Sequence, residues 1–520
     1  MLSSSPLIVL TAPSTEMSEY EGNHAIPFAA GFSKPWFIPR FFLKRVFFKP
    51  VPSSSLEVSI APLGIRRLEA SLVRSGFKPS DVVVVHPDDL SRAVGPNTRV
   101  IGISSKDPLG LGYVSITYSS ILDLGEPINK LEFERLMRAV EKAKAKYGVK
   151  VVVGGAGAWQ LLRPEAKGLF DVDVVFIGEG EVTGPEVFWK LVRGEEVPKV
   201  VEGKQASVDE IPMILKPSIY GSIEISRGCG RGCAFCSPTM QRRRFMPISR
   251  VVEEVELNVK CGVTDTLLVT EDVFMYGVKS PDFKPNREAV EALFEALLSV
   301  KGLNSIQVTH ANLAAVNADR ELARYVAEIL REKSSYTLHG KQVATVEVGV
   351  ETGSPRLLRR WMAGKCKPFK PEDWPDVVVS SLSFMEDYEW VALCTILVGL
   401  PGETDEDAER TIRLIEEIRS MGLRTFLVPL IFVPLGTCSL RDEVLKSFNE
   451  LSQRQIDVFA LCWEHNVKVW GPGFFKSQPY WAKVGFKLAS KLLYRLKYRR
   501  GDEWRRVIAD RVFDALKQLL

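Results

Sequence analysis

Short runs rich in valine, isoleucine and threonine recur along the chain, separated by stretches of helical length, and this alternation restricts the fold more than any other feature. In the first part the runs fall at 7–11, 82–86, 100–104, 151–154 and 174–178, and residues 130–147 carry apolar side chains at helical spacing. β-Branched runs that do not alternate with polar residues read as strands covered on both faces, the pattern of parallel sheets. The spacing predicts an open, doubly wound, Rossmann-like α/β sheet over residues 1–203, with its ligand edge at the strand carboxyl ends. That edge carries Ser104, Ser105, Gly154, Gly155, Gly178 and Glu179. Small residues there let the polar groups of a ligand approach backbone.

A polar connection at 202–217 is followed by a second series of runs at 222–226, 266–270, 305–309, 345–350, 392–398 and 425–433. Repeated strand–helix pairs of this length predict a partial TIM-like (β/α) barrel over 218–440, active at its strand carboxyl ends. From 441 to 520 the pattern is helical. There Lys483, Lys487, Lys491 and Arg495 stand four residues apart beside Val484, Leu488, Leu492 and Leu496. A basic amphipathic helix over 481–500 suits peripheral contact with an anionic membrane; the competing reading packs its apolar stripe on protein and leaves a solvated basic ridge.

The balance of 68 Lys and Arg against 64 Asp and Glu gives a net charge of +4, so bulk electrostatics do not call for a nucleic-acid partner. No window reaches the roughly 18 apolar residues of a membrane span. The first eleven residues read as a buried strand rather than a secretory leader, and a cytoplasmic location is expected.

Eight cysteines are present, none before position 229, and Cys229, Cys233 and Cys236 crowd into one glycine-rich segment, Ser-Arg-Gly-Cys-Gly-Arg-Gly-Cys-Ala-Phe-Cys. The spacing is unlike a disulfide framework and favours metal or redox chemistry. Glycines permit the positive φ angles with which such a loop wraps three thiolates around one cubane. Three local ligands leave one iron open, and Arg227, Arg231 and the run 242–244 suit an anionic chelating ligand there. A zinc knuckle is the competing reading; zinc sites take four ligands, and neither a second cysteine pair nor a histidine lies nearby. Cys261, Cys394, Cys438 and Cys462 are expected to be small buried hydrophobes. Cys366, in Gly-Lys-Cys-Lys-Pro, is expected on a loop, with either no chemical role or a redox one. His310 and Asn312, after the third run of the second series, are candidate cavity-lining residues.

The cysteine spacing, with Phe235 just before the last cysteine, resembles the signature of the radical S-adenosylmethionine (radical SAM) superfamily. The resemblance implies a [4Fe-4S] cluster on Cys229, Cys233 and Cys236 whose open iron binds S-adenosylmethionine. Reductive cleavage then yields methionine and a 5'-deoxyadenosyl radical, with the electron drawn from a donor such as ferredoxin or flavodoxin. Thr270, Glu271 and Asp272 resemble the acidic motif that holds the amino group of S-adenosylmethionine, and Glu351, in Gly-Val-Glu-Thr-Gly-Ser, resembles a further strand-end motif. Gly-Leu-Pro-Gly-Glu-Thr at 399–404 and Val-Pro-Leu-Gly-Thr at 433–437 continue the series, so the likeness covers about 222–440.

The first unit, with Val-Val-Gly-Gly at 152–155 and Gly-Glu-Gly-Glu at 178–181, is similar over about 52–197 to the cobalamin-binding domain of the cobalamin-dependent radical SAM group. It lacks the Asp-x-His-x-x-Gly sequence that supplies histidine to cobalt in many cobalamin proteins, and His86 does not fit that pattern. Many members of the radical group lack that ligand too, so the resemblance implies methylation of an unactivated carbon by way of methylcobalamin. The alternatives are a radical cyclase or carbon–carbon coupling enzyme, a tRNA methylthiotransferase-like enzyme, and a non-enzymatic iron-sulfur protein. The basic helix suits a lipid or isoprenoid substrate. No general acid or base is assigned.

Overall fold

The computed structural model describes residues 5–23, 26–54, 56–338, 340–477, 494, 498 and 501–519. It resolves into two compact units. One runs up to Ile225 and takes in Arg244–Leu267 and Ala296–Leu303; the other holds Ser226–Arg243, Leu268–Glu295 and the chain from Asn304 onward.

The first unit is built on β1 (Ile8–Thr11), β2 (Val82–Val84), β3 (Val100–Ser104), β4 (Lys150–Gly154), β5 (Val174–Gly178) and β6 (Val200–Gly203). They form one sheet in the order β2-β1-β3-β4-β5-β6, parallel throughout, with Ile8 opposite both Val82 and Val100. The strand order reverses between β1 and β3, which places a topological switch point at their carboxyl ends.

Both sheet faces are covered, and this is why the runs show no polar alternation. Ile8, Leu10, Val82 and Phe176 pack with Ile65 and Leu72 of α1 (Leu63–Arg74) and Phe188 and Leu191 of α3 (Thr183–Val192). Val9, Ile101, Val151 and Val153 pack with Phe133, Leu136 and Val140 of α2 (Ile128–Tyr147). A Cβ on Gly102 would stand 2.7 Å from Leu10 and 2.9 Å from Phe188, so a bare backbone lets α3 approach the sheet. The connection expected at 202–217 is fastened down: Arg67 donates to the Pro212 carbonyl at 2.7 Å and pairs with Glu254 of α4 (Ile248–Lys260), and Arg66 donates to the Pro217 carbonyl at 3.1 Å.

β7 (Asp265–Val269) ends inside the second unit, where β8 (Ser305–Val308), β9 (Ala344–Glu351), β10 (Trp390–Val398) and β11 (Phe426–Ile431) follow. β9, β10 and β11 pair in parallel. Thr309 donates to the Leu268 carbonyl at 3.1 Å, and a parallel bridge between His310 and Glu347 joins the end of β8 to β9. Along β9 the buried Ala344, Val346 and Val348 alternate with the half-buried Thr345, Glu347 and Gly349, the signature of a barrel strand with an apolar outer face and a polar inner one. α5 (Gln453–Ser477) and α6 (Glu503–Leu519) pack on each other. The fold class expected from the sequence is the one observed: a doubly wound sheet, a partial barrel and a helical carboxyl-terminal region. The basic helix expected at 481–500 lies outside the described residues, apart from Tyr494 and Tyr498.

Candidate iron-sulfur site

The cysteine loop turns on three glycines with positive φ: Gly228 (81°), Gly230 (74°) and Gly232 (77°). A Cβ on Gly230 or Gly232 would meet nothing within 4 Å, whereas one on Gly228 would stand 2.6 Å from the Arg242 carbonyl oxygen. The first two glycines serve conformation and the third serves closeness. The loop is pinned by its own amides: Cys229 donates to the Pro238 carbonyl at 3.3 Å, Ala234 to the Trp361 carbonyl at 2.8 Å, and Gly232 to Thr239 Oγ1 at 2.7 Å. Cys233 is buried, Cys229 and Cys236 are half-buried, and none is in a disulfide. Burial pushes the Cys229 thiol up to about 11 and the Cys236 thiol up to about 12, and the neighbouring thiols add to both shifts. Among the described residues no three His, Cys, Asp or Glu side chains converge as ligands of a single ion. A cubane asks for a different arrangement, one thiolate on each of three irons, and three desolvated thiols on one glycine-turned loop fit that donor set.

A second loop, at 363–367, lies against the first. Arg231 donates to the carbonyls of Gly364 (3.0 Å), Lys365 (3.4 Å) and Lys367 (3.2 Å) and pairs with Asp272 at 3.1 Å. Its guanidinium also sits 4.6 Å from the ring centroid of Phe283. A Cβ on Gly364 would come within 2.0 Å of the Arg231 carbonyl oxygen. Of the cations expected to suit an anionic ligand, Arg227, Arg231 and the run 242–244, two are engaged by protein: Arg231 latches the loops, and Arg244 pairs with Glu179 within the first unit. A second cation beside the thiols, besides Arg231, is Lys365. It is buried, donates to the Gly349 carbonyl at 3.0 Å, pairs with Glu351 at 3.0 Å and interacts electrostatically with Cys233 and Cys236. Nothing in the sequence marked it, because it sits in a loop outside any strand-end motif.

The acidic segment after β7 divides its labour. Thr270 bonds Ser226 through their hydroxyls at 2.6 Å. Asp272 caps the turn Val273–Met275 by accepting from Phe274, and it accepts from the Asn312 amide at 3.2 Å. Glu271 accepts from the Gly228 amide at 3.0 Å and remains half-exposed. Glu351 adopts φ 64° and accepts from Thr395 Oγ1 at 3.3 Å. Phe235 is buried. His310 Nδ1 lies 3.1 Å from the Thr270 carbonyl and Nε2 lies 3.4 Å from Glu347, with 45 % of the side chain exposed. An acceptor faces each ring nitrogen: burial lowers the pKa of the ring, and the Glu347 and Thr270 interactions outweigh it, so the net shift is upward. Asn312 Nδ2 donates to the Lys365 carbonyl at 3.2 Å.

In the first unit the predicted edge residues do lie at strand ends, at the close of β3, β4 and β5. Their neighbours are mostly protein. Ser105 donates to Glu16 at 3.0 Å, a Cβ on Gly155 would stand 2.7 Å from the Ser105 carbonyl oxygen, and Glu179 accepts from the Ala206 amide at 3.0 Å besides pairing with Arg244. Thr15 Oγ1, in the loop after β1, is buried without a hydrogen-bond partner among the described residues.

Of the remaining thiols, Cys394, Cys438 and Cys462 are buried as expected. Cys261 is the exception: it is exposed, because it forms the carboxyl-terminal cap of α4. Cys366 is fully buried and directs its Sγ at the Ala363 carbonyl, 3.3 Å away.

Residues 223–415 match the model of the Radical SAM superfamily. Among curated proteins the chain is 27% identical over 318 residues to the ribosomal protein uS12 methylthiotransferase RimO of Akkermansia muciniphila, a match covering 56% of this chain and 64% of that protein. It is also 27% identical over 316 residues to the tRNA-2-methylthio-N(6)-dimethylallyladenosine synthase of Thermus thermophilus, covering 56% and 57%. The chain thus spans about three fifths of the length of these relatives. Among solved structures, the radical S-adenosylmethionine methyltransferase TsrM from Kitasatospora setae, with cobalamin and a [4Fe-4S] cluster bound, aligns with a TM-score of 0.53 at 14% identity over 84% of this chain and 74% of that one. A second TsrM structure, with tryptophan substrate and a SAM analog, aligns with the same score over 83% and 75%. That likeness is one of fold, and it spans both units.

Proposed function

We propose that the chain is a radical SAM enzyme that methylates an unactivated carbon with the help of cobalamin. The observation that carries the first half is the glycine-turned loop presenting Cys229, Cys233 and Cys236 as desolvated thiols beside the Lys365–Glu351 pair. When bound, the cluster supplies the electron that splits S-adenosylmethionine into methionine and a 5'-deoxyadenosyl radical, and cobalamin supplies a methyl group. The chain's own residues hold and shield. The three thiolates anchor the cluster, Lys365 places a positive charge beside it, and Glu271 and Glu351 stand at strand ends where a cationic amino group or sugar hydroxyls find acceptors. His310 and Glu347, paired at 3.4 Å, line the polar inner face.

Support for cobalamin comes from the first unit: a parallel sheet with its switch point between β1 and β3, and, in the loop after β1, a buried Thr15 hydroxyl with no hydrogen-bond partner among the described residues. The alternative of a methylthiotransferase is favoured by the names of the sequence relatives. Against it stands the absence of any cysteine from residues 1–228, since the resemblance to that class implies a second cluster on amino-terminal cysteines. A lipid or isoprenoid substrate, a ferredoxin- or flavodoxin-type donor, and membrane contact through 481–500 complete the reading. Anaerobic reconstitution followed by absorption spectroscopy and assay of 5'-deoxyadenosine tests it. Protein purified from cobalamin-fed cells should carry both cluster and corrin absorption. A cluster without corrin returns the reading to methylthiotransferase or cyclase, and a cluster that never yields 5'-deoxyadenosine removes the enzyme assignment.

A further inference from the structure

Within the first unit a second feature lies beside the loops that follow β1 and β2, where Arg40 donates to Ser14 at 3.2 Å. Residues 24–55 contain Lys34, Arg40, Lys44, Arg45 and Lys49 and no Asp or Glu. The short helix Arg40–Val46 is fixed from beneath, where Leu43, Phe47 and Phe48 join Tyr20 and Ile128 in a small apolar cluster. Arg40 donates twice to Glu132, at 2.6 and 2.7 Å, and Lys44 pairs with Asp88. An ordinary surface helix so anchored turns polar residues outward. Here the outward residues are apolar as well: Trp36 is 84% exposed, Phe37 62%, Phe41 72%, Phe42 49% and Val46 60%. Five large apolar side chains exposed within eleven residues make a patch that a solvated surface does not explain.

The charges around the patch narrow what covers it. Among the described residues Lys34 and Arg45 have no ion-pair partner, and Arg45 is exposed. A second copy of the chain meeting the patch across a two-fold axis would set these cations against each other. An anionic bilayer meets both demands: aromatic rings settle at the headgroup boundary, and Lys and Arg gain from anionic lipid.

We propose that residues 34–46 are a docking surface for an anionic lipid bilayer, with Trp36, Phe37, Phe41 and Phe42 entering the headgroup boundary and Lys34 and Arg45 meeting lipid phosphates. The docking surface goes beyond the reaction proposed above and does not depend on it.

The test is co-sedimentation of the full, cluster-loaded chain with vesicles of phosphatidylcholine alone and of phosphatidylcholine with phosphatidylglycerol in equal parts. The chain pellets with the mixed vesicles, less at high salt, and little with the neutral ones. Joint substitution Trp36→Ser, Phe37→Ser, Phe41→Ser and Phe42→Ser lowers that partition by about tenfold or more. Lys34→Glu with Arg45→Glu, at a half-buried and an exposed position with no ion pair among the described residues, removes the preference for anionic vesicles and keeps the test open should the serine variant fold poorly. Formation of 5'-deoxyadenosine, or its absence, is the same in wild type and variants, so failure here is distinguishable from failure of the reaction assignment. The proposal is overturned if wild type ignores mixed vesicles, or if binding survives both sets of changes. It is equally overturned if wild type is a solution dimer that the serine variant makes monomeric, if polyglutamate binds the chain where vesicles do not, or if Lys483→Gln, Lys487→Gln, Lys491→Gln and Arg495→Gln together, with 34–46 intact, abolish vesicle binding.

Discussion

The cysteine loop of the second unit and the strand ends of the first are both rich in glycine, and the glycines do opposite things. At Gly230 and Gly232 of the cysteine loop an added Cβ would meet open space, so these residues serve only the backbone angle. In the first unit a Cβ on Gly155 would press the Ser105 carbonyl at 2.7 Å, one on Gly157 the Lys106 carbonyl at 2.3 Å, and one on Gly203 the Glu179 carbonyl at 2.0 Å. One set of glycines shapes a loop that presents side chains; the other lets loops close on one another. A glycine-rich strand end therefore marks a ligand only when its neighbours leave room.

The sharpest test of this division is Cys229→Ala, Cys233→Ala or Cys236→Ala. Each removes one of three anchors, so iron and sulfide content and cluster absorption should fall to background. Corrin content and the resistance of the first unit to proteolysis should not change. Loss of both cofactors together would show that the loops are not independent.

Next in size is Glu179→Leu. The carboxylate is buried, takes two guanidinium contacts from Arg244 and accepts the Ala206 amide. Stranding Arg244 should cost about 3–5 kcal/mol in denaturant unfolding, while the iron content of the surviving folded protein stays at the wild-type level. Retained stability would mean that the ion pair is dispensable and would return Glu179 to the list of ligand-facing residues.

The glycines themselves supply a smaller contrast. Gly203→Ala should cost about 2–3 kcal/mol through overpacking at the Glu179 carbonyl, and Gly230→Ala only about 1 kcal/mol through its positive φ. Equal costs in a paired denaturant titration would erase the distinction drawn between the two loops.

Much of the fold and of the cysteine loop is legible in the sequence. The interior strands announced themselves because both faces are buried, which leaves the β-branched runs unbroken. β6 was missed because it is an edge strand whose residues alternate between exposed and half-buried and include Glu202. The cysteine loop was legible because three ligands and their glycines are contiguous. Lys365 and the grip of Arg231 on residues 364–367 were not, since both arise from two loops meeting across more than a hundred residues, and no local pattern encodes such a meeting. Cys261 misled because cysteine is commonly buried, whereas the end of α4 turns it outward.

A last contrast sets the units against each other in pH. His86, 3% exposed, has its pKa lowered by burial from 6.5 to about 4. Its ring stays neutral in the fold, and the unfolded chain takes up a proton first, so the first unit should lose stability as pH falls from 6.5 to 4. Glu403 shows the reverse. Burial raises it from 4.5 to about 7, and Gln455 donates to its carboxyl at 2.9 Å. The unfolded chain loses that proton first, so the second unit should lose stability as pH rises from 4.5 to 7. Each group contributes a slope of at most about 1.4 kcal/mol per pH unit. Hydrogen exchange followed separately in β1–β5 and in β9–β11 between pH 4.5 and 6.5 should show protection rising with pH in the first set and falling in the second. His86→Asn should flatten the first trend alone and Glu403→Gln the second alone, and a common slope in both sets would mean that the two sheets open as one.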